Sequence, residues 1–190
     1  MKVISLLILL SVMSISSYLQ KNKYKSCIKI GHVEFAHHQA YFNFIKKANV
    51  QIKHNGVIRI KTDVKDVVLK DDGEFKEYKY VGELNTPLLI LIHELEPNTE
   101  EYYLINKKTA RIDTLVGKPI FSNNGTDIVC LEGSGTDTKQ KIQVGKLING
   151  SFKTEYLFTM KDGINPDYVY WFNTNTIFIK ARKDYWKLTF

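Results

Sequence analysis

A chain of 190 residues with 44% hydrophobic and 12% aromatic content is too apolar to stay disordered, and it can bury one sizeable core but not two. Its formal charge of +7 raises the question of a nucleic-acid partner, but the lysines are scattered rather than gathered into one stripe. Nucleic-acid binding is not expected, and weak attraction to an anionic envelope surface fits the charge better.

Lys2, an apolar run over residues 3–13 and the small residues Ser14, Ser16 and Ser17 form the three-part layout of a secretory signal peptide. The run is shorter than the roughly 18 residues that cross a bilayer, so a cleaved signal over 1–17 is expected, with no membrane span. Residues 18–190 are then one exported domain, periplasmic or extracellular, expected as a monomer. Lys21, Lys23, Lys25 and Lys29 follow the cleavage region and read as a solvated basic tail. Cys27 and Cys130 allow two states in an oxidising compartment: a disulfide, or two separate thiols with Cys130 a small hydrophobe inside a strand.

Val33, Ala36, Ala40, Tyr41, Phe44, Ile45 and Ala48 recur at three- and four-residue steps. The spacing predicts a short amphipathic helix near 34–47, although 40–45 is also aromatic enough for a strand. Beyond this the pattern is β throughout. Asn55-Gly56, Asp72-Gly73, Asn124-Gly125, Asn149-Gly150 and Asp162-Gly163 are turn dipeptides that tolerate positive φ, and they hold five of the eleven glycines. Among them lie β-prone runs at 50–54, 57–62, 64–70, 75–81, 88–95, 102–106 and 111–115. More follow at 126–131, 141–148, 152–158, 168–172, 176–181 and 185–190. Together they predict an all-β fold of antiparallel sheets. Residues 88–92 are apolar at every position and should form a central strand covered on both faces. Phe152, Thr154, Tyr156 and Phe158 alternate with Lys153, Glu155 and Leu157, as in a strand with one wetter face.

Pro119-Ile-Phe-Ser-Asn-Asn-Gly-Thr-Asp-Ile128 runs as proline, aromatic, Ser, Asn-Gly turn and aliphatic return. It resembles the blade signature of TolB-type β-propeller repeats. Tyr170-Trp-Phe-Asn-Thr-Asn-Thr-Ile-Phe-Ile179 is a degenerate second copy, with Trp171 in the place of Phe121 fifty positions on, near the ~40–50 residues of a propeller blade. From Glu101 to Leu188 the chain also resembles small secreted bacterial proteins with no assigned activity. The resemblance implies a compact propeller-like β-fold. Two recognisable copies fall short of the four blades of a closed propeller, so a propeller-like and a sandwich arrangement both stay open.

No motif carries identifiable chemistry. His32, His37 and His38 with Glu34 form the one histidine cluster, but on a helix neighbouring residues point about 100° apart, and capping or surface histidines are expected rather than a metal site. Glu94 and Glu96 share one face of a strand, as paired glycosidase carboxylates do, yet they sit where the apolar run ends and read as a solvated strand end. Gly133-Ser-Gly135 lacks the spacing of a nucleophile elbow or a phosphate loop. Asn124-Gly-Thr126 and Asn149-Gly-Ser151 match the glycosylation sequon and read as hairpin turns. The aromatic C-terminal end offers Tyr168, Tyr170, Trp171 and Trp186 as candidate binding residues for a sugar or a protein, against the simpler reading that they fill the core. No cofactor and no catalytic residue are implied. The expected role is a non-enzymatic binding or interaction module with a protein or glycan partner. The alternative is a small hydrolase acting on envelope carbohydrate or peptide.

Overall fold

The structure, a computed structural model, describes residues 24–36, 44–46, 53–84, 89–133, 140–160 and 165–190. The expected signal peptide, His37, His38, Gly135 and the Asp162-Gly163 pair lie outside the described residues. Of the described residues 61% are in strands and 4% in helix. All the strand pairings among them are antiparallel, and each of the β-prone runs contains a strand.

Four sheets follow one another along the chain. The first holds β3 (Lys53–His54), β4 (Val57–Ile60) and β5 (Val67–Lys70). The second holds β6 (Glu77–Leu84), β7 (Leu89–Leu95), β8 (Glu100–Asn106) and β9 (Ile112–Leu115), with β2 (Ile45–Lys46) added beside β6. In the third, β10 (Pro119–Phe121), β11 (Asp127–Leu131), β12 (Lys141–Ile148) and β13 (Ser151–Thr159) run in order. The fourth consists of β14 (Tyr168–Asn173), β15 (Thr176–Ala181) and β16 (Asp184–Thr189), and its outer edge is completed by β1 (Ser26–Ile30) from the other end of the chain.

The turn dipeptides work in two ways. At Asn55-Gly56 (φ 47° and 73°) and Asn149-Gly150 (φ 51° and 75°) both residues are left-handed, closing two-residue turns between His54 and Val57 and between Ile148 and Ser151. At Asp72-Gly73 and Asn124-Gly125 only the glycine has positive φ. There the side chain organises the loop: Asn124 Oδ1 accepts the N–H groups of Thr126 and Asp127, and Asp72 Oδ1 accepts those of Glu74, Phe75 and Lys76.

Period-two alternation stacks the sheets face to face. On β7, Ile90 and Ile92 pack with Ile58, Ile60 and Val67 of the first sheet, whereas Leu89 and Leu91 pack with Phe121, Ile128 and Cys130 of the third. The apolar stretch at 88–92 is thus covered on both faces along its described residues, as its composition demands. Val129, Ile142 and Val144 of the third sheet meet Val169, Trp171, Ile177 and Leu188 of the fourth. The far face of the fourth sheet is closed by Phe35 of α1 (His32–Ala36), set against Tyr170 and Phe178. Each fully buried Leu, Ile or Phe contributes about 1.5–3 kcal/mol, which makes these interfaces the main source of stability. The arrangement is a layered sandwich, with no closed barrel among the described residues.

Phe121 and Trp171, the matching positions of the two sequence copies, lie on β10 and β14, the leading strands of consecutive sheets, and each packs against the sheet before its own.

One expectation at the N-terminal end is corrected. The basic segment around Lys25 and Lys29 is not simply a solvated tail: Ser26–Ile30 pairs with Asp184–Thr189 over five residues, because β16 would otherwise be an open edge. A short helix is present at His32–Ala36 and Ile45–Lys46 is a strand, while residues 37–43 and 47 lie outside the described residues. The cysteines are not joined. Cys27 is exposed on β1 at the outer edge of the fourth sheet, and Cys130 is enclosed between the second and third sheets, where burial pushes its thiol well above the usual range.

Candidate functional site

The end of the second sheet where β6 and β8 begin and β7 stops gathers the unusual chemistry. Two connections build it. The loop before β6 is pinned by Asp72, as above, and by Asp71, whose carboxylate accepts the Tyr78 N–H at 2.9 Å and pairs with Lys53 at 2.6 Å. After β7 the chain turns tightly, with Glu96 N–H donating to Thr99 O at 2.9 Å and Thr99 Oγ1 donating back to the Glu96 carboxylate at 3.1 Å.

Between these connections Glu94 points into the gap between the first and second sheets and is only 3% exposed. Its buried charge is answered three times: by an ion pair with Lys76, by the Tyr78 hydroxyl at 3.2 Å and by the Tyr103 hydroxyl. Lys76 also reaches Glu96 at 3.0 Å. Glu94 and then Glu96 hold the Lys76 ammonium above its ordinary pKa, and hydrogen bonds from Lys76 and Thr99 hold Glu96 below the usual carboxylate range. Burial first, then the neighbouring Glu94 carboxylate, pushes the Tyr103 and Tyr78 phenols up. Backbone N–H groups of Phe75 and Lys76 hold Asp72 down. Burial opposes the same change at Asp71, but the Lys53 and Tyr78 hydrogen bonds outweigh it.

Two hollows flank the cluster. A cavity of about 130 Å³ is lined by Lys76, Glu94, Glu96, Thr99, Glu101 and Tyr103. An open cleft of about 440 Å³ shares Lys76 and Glu96 with it and is walled by Glu74, Phe75, Glu77, Leu95 and Pro97. Phe75 is 64% exposed at its rim, even though its own backbone N–H is fixed by Asp72 at 2.8 Å. On the opposite face of β7, His93 Nε2 meets the Glu100 carboxylate at 2.7 Å, and the imidazole stacks on Tyr102 at 4.2 Å. Burial, assisted by Glu100, pushes the Tyr102 phenol up to about 12.

Chemically the cluster is locked rather than poised. A general acid or base works best with a pKa near the operating pH. Here each shift moves a group away from neutrality and deeper into the state it already holds: Lys76 charged, Tyr103 and Tyr78 neutral, Glu96 ionised. Among the described residues, no three His, Cys, Asp or Glu side chains converge closely enough to hold a metal ion.

The chain matches no protein-family model, no curated protein and no solved structure.

The sequence candidates are placed elsewhere. Tyr170 and Trp171 are core residues on opposite faces of β14, fully or nearly fully buried, so neither offers a ring to a sugar. Their alternation along one strand sends Trp171 into the interface with the third sheet and Tyr170 under Phe35 of α1, which overturns the binding reading of these two in favour of packing. Trp186 is half-buried at the margin of the same core, and Tyr168 alone is exposed, with the Lys180 ammonium 5.4 Å from its ring centre. His32 packs edge-on against Tyr185 at 5.2 Å, and Glu34 pairs with Lys187 at 3.5 Å. Glu94 and Glu96 share a carboxylate-binding lysine as neighbours on one face, but Glu94 is not a solvated strand end.

A signal for this end was present in the sequence and went unused. Residues 71–77, Asp-Asp-Gly-Glu-Phe-Lys-Glu, and 94–101, Glu-Leu-Glu-Pro-Asn-Thr-Glu-Glu, hold eight of the twenty acidic residues of a chain with net charge +7. Only the pairing of β6 with β7 and β7 with β8 brings the two segments to one place.

Proposed function

We propose that the chain is an exported, monomeric, non-enzymatic binding module that takes its partner at the loop end of the second sheet. The observation that supports a binding role over a hydrolytic one is the saturation of Glu94 by Lys76, Tyr78 and Tyr103. A carboxylate committed to three donors is positioned to hold a wall rigid, and rigid walls favour recognition because less ordering is lost on binding. The adjoining cleft of about 440 Å³ falls within the ordinary size of a ligand site. Export rests on the sequence pattern of residues 1–17. The TolB-type, blade-like reading is supported by the equivalent positions of Phe121 and Trp171 on successive leading strands.

A small hydrolase acting on envelope carbohydrate or peptide is the second reading, favoured by the approach of Tyr103 to Glu94 beside Glu96 and Glu101 in one cavity. One measurement tests export and a second separates the readings. Fractionation of expressing cells with intact-mass analysis of the exported protein tests processing near residue 17, and full-length protein found inside the cell overturns export. Incubation of the purified protein with envelope glycan and peptide fragments is expected to leave them intact. Turnover abolished by Glu94→Gln or Tyr103→Phe establishes the hydrolase instead.

A further inference from the structure

The open cleft joins three features that packing does not explain. Phe75 is a large apolar ring left in water on a loop whose backbone is fixed, and Leu95 and Pro97 continue its apolar side. The three line one cleft together, which sets Phe75 apart from an apolar residue exposed singly. Around the ring the charge is negative in a protein that is otherwise basic: Glu74 has no ion-pair partner among the described residues, and Asp71 and Glu77 share Lys53, with Lys79 as a second partner of Glu77 at 3.3 Å. Lys76, the lysine within the loop, does not offset this outward, because its ammonium is committed to Glu94 and Glu96.

We propose that this cleft binds the cationic side chain of a basic peptide segment, with the arginine or lysine stem lying along Phe75 and its charged head among Glu74, Glu77 and Glu96. This rests on the binding-module reading and names the partner class for it. An aromatic face attracts a guanidinium or ammonium, and carboxylates add charge-assisted hydrogen bonds to it. The aliphatic stem of Arg or Lys supplies the apolar contact that the ring lacks. An anionic ligand meets the same carboxylates as repulsion, and a neutral sugar leaves the unpaired Glu74 charge unanswered.

The test is titration of the full chain with an N-acetylated, C-amidated tri-arginine peptide and with its tri-citrulline counterpart, which has nearly the same shape without the charge. Binding is followed by calorimetry and by backbone NMR shifts. Tri-arginine is expected to bind saturably and shift residues 71–77 and 95–97, with citrulline about tenfold weaker. Phe75→Ala and Glu74→Gln are each expected to weaken tri-arginine by about fivefold. Both side chains face solvent, so an unchanged unfolding midpoint separates lost binding from lost fold.

No saturable binding of tri-arginine, equal binding of the two peptides, or binding indifferent to Phe75→Ala each overturns the proposal. Shifts at the cleft with the neutral peptide only would overturn the cationic partner and leave the binding module standing. Cleavage of either peptide by the protein would overturn the binding module itself.

Discussion

The indole Nε1 of Trp171 donates a hydrogen bond to the backbone carbonyl of Ile120 at 2.9 Å. This joins the leading strand of the fourth sheet to that of the third, while the indole ring itself packs among Val129, Val169 and Leu188. One side chain therefore supplies apolar burial, and its buried N–H finds the partner it requires in the Ile120 carbonyl. Trp171→Phe keeps most of the packing and leaves the Ile120 carbonyl without this donor, and it is expected to cost about 1–3 kcal/mol. Trp171→Ala adds a cavity and should cost about 3–5 kcal/mol. Chemical denaturation measures both, and equal losses for the two variants would refute a separate role for the hydrogen bond.

Glu94 and Lys76 should behave as a coupled pair. Glu94→Ala leaves Lys76 with Glu96 alone and two phenols around a vacated buried position, so its cost should exceed that of Lys76→Met with Glu94→Leu together. Because Lys76 is a third exposed and can turn to water, the single loss is expected at about 1–3 kcal/mol rather than at the higher value of a fully buried pair. A double-mutant cycle reads the coupling directly. Strict additivity would show that the pair does not act as one unit.

The same shifts set a pH profile. Lys76, Tyr78 and Tyr103 are raised in the fold from ordinary values of 10.5, 10.0 and 10.0. Their contribution is complete below about pH 10 and is lost as pH rises toward the folded values, since the unfolded chain gives up these protons first. Glu96, Asp71 and Asp72 are lowered from 4.5, 3.8 and 3.8. Their contribution is present above about pH 4.5 and is lost as pH falls through the lowered values. The buried Cys130 thiol, raised from 9.0, joins the alkaline groups, so stability should be flat between about pH 4.5 and about pH 9 and decline on both sides. Denaturation midpoints from acid to alkaline pH check this, and the alkaline decline should shrink in Lys76→Met. A profile in which stability grows on acidification from pH 5 to 3 has the wrong sign for these groups.

Phe35 is the anchor of the N-terminal arm. The first four residues of β1 are exposed, whereas Phe35 is enclosed by Tyr170, Phe178 and Tyr185 at ring separations of 4.8, 6.2 and 4.6 Å. Phe35→Ala is expected to cost about 3 kcal/mol and to speed amide exchange in β1 and β16 ahead of the other strands. Uniform acceleration across all four sheets would instead mean that the arm and the body unfold as one.

Much of the fold was readable in the sequence because it is set by short-range physics. The β-prone runs became strands, and Asn55-Gly56 and Asn149-Gly150 closed two-residue turns, since alternation and positive φ are properties of a few consecutive residues. Residues 88–92 announced their two-sided burial by being apolar throughout. β1 was less readable: an exposed strand of Ser, Cys, Ile, Lys and Ile looks like a tail until a distant edge is available to pair with it.

The site was hidden for the same reason. Composition placed acidic residues at 71–77 and 94–101, and spacing put Glu94 and Glu96 on one face. That Glu94 is buried, that Lys76 binds both carboxylates and that Tyr103 closes on Glu94 depend on β6, β7 and β8 lying side by side. Likewise Tyr170 and Trp171 advertised an aromatic surface, and only the third sheet on one face of β14 and Phe35 of α1 on the other turned them into core. The sequence by itself determined an all-β chain, the places where it turns and which strand runs through the middle of a sheet. Tertiary structure decided which charges are buried, which are paired and which aromatic remains in water, because burial and pairing depend on residues far apart in the chain.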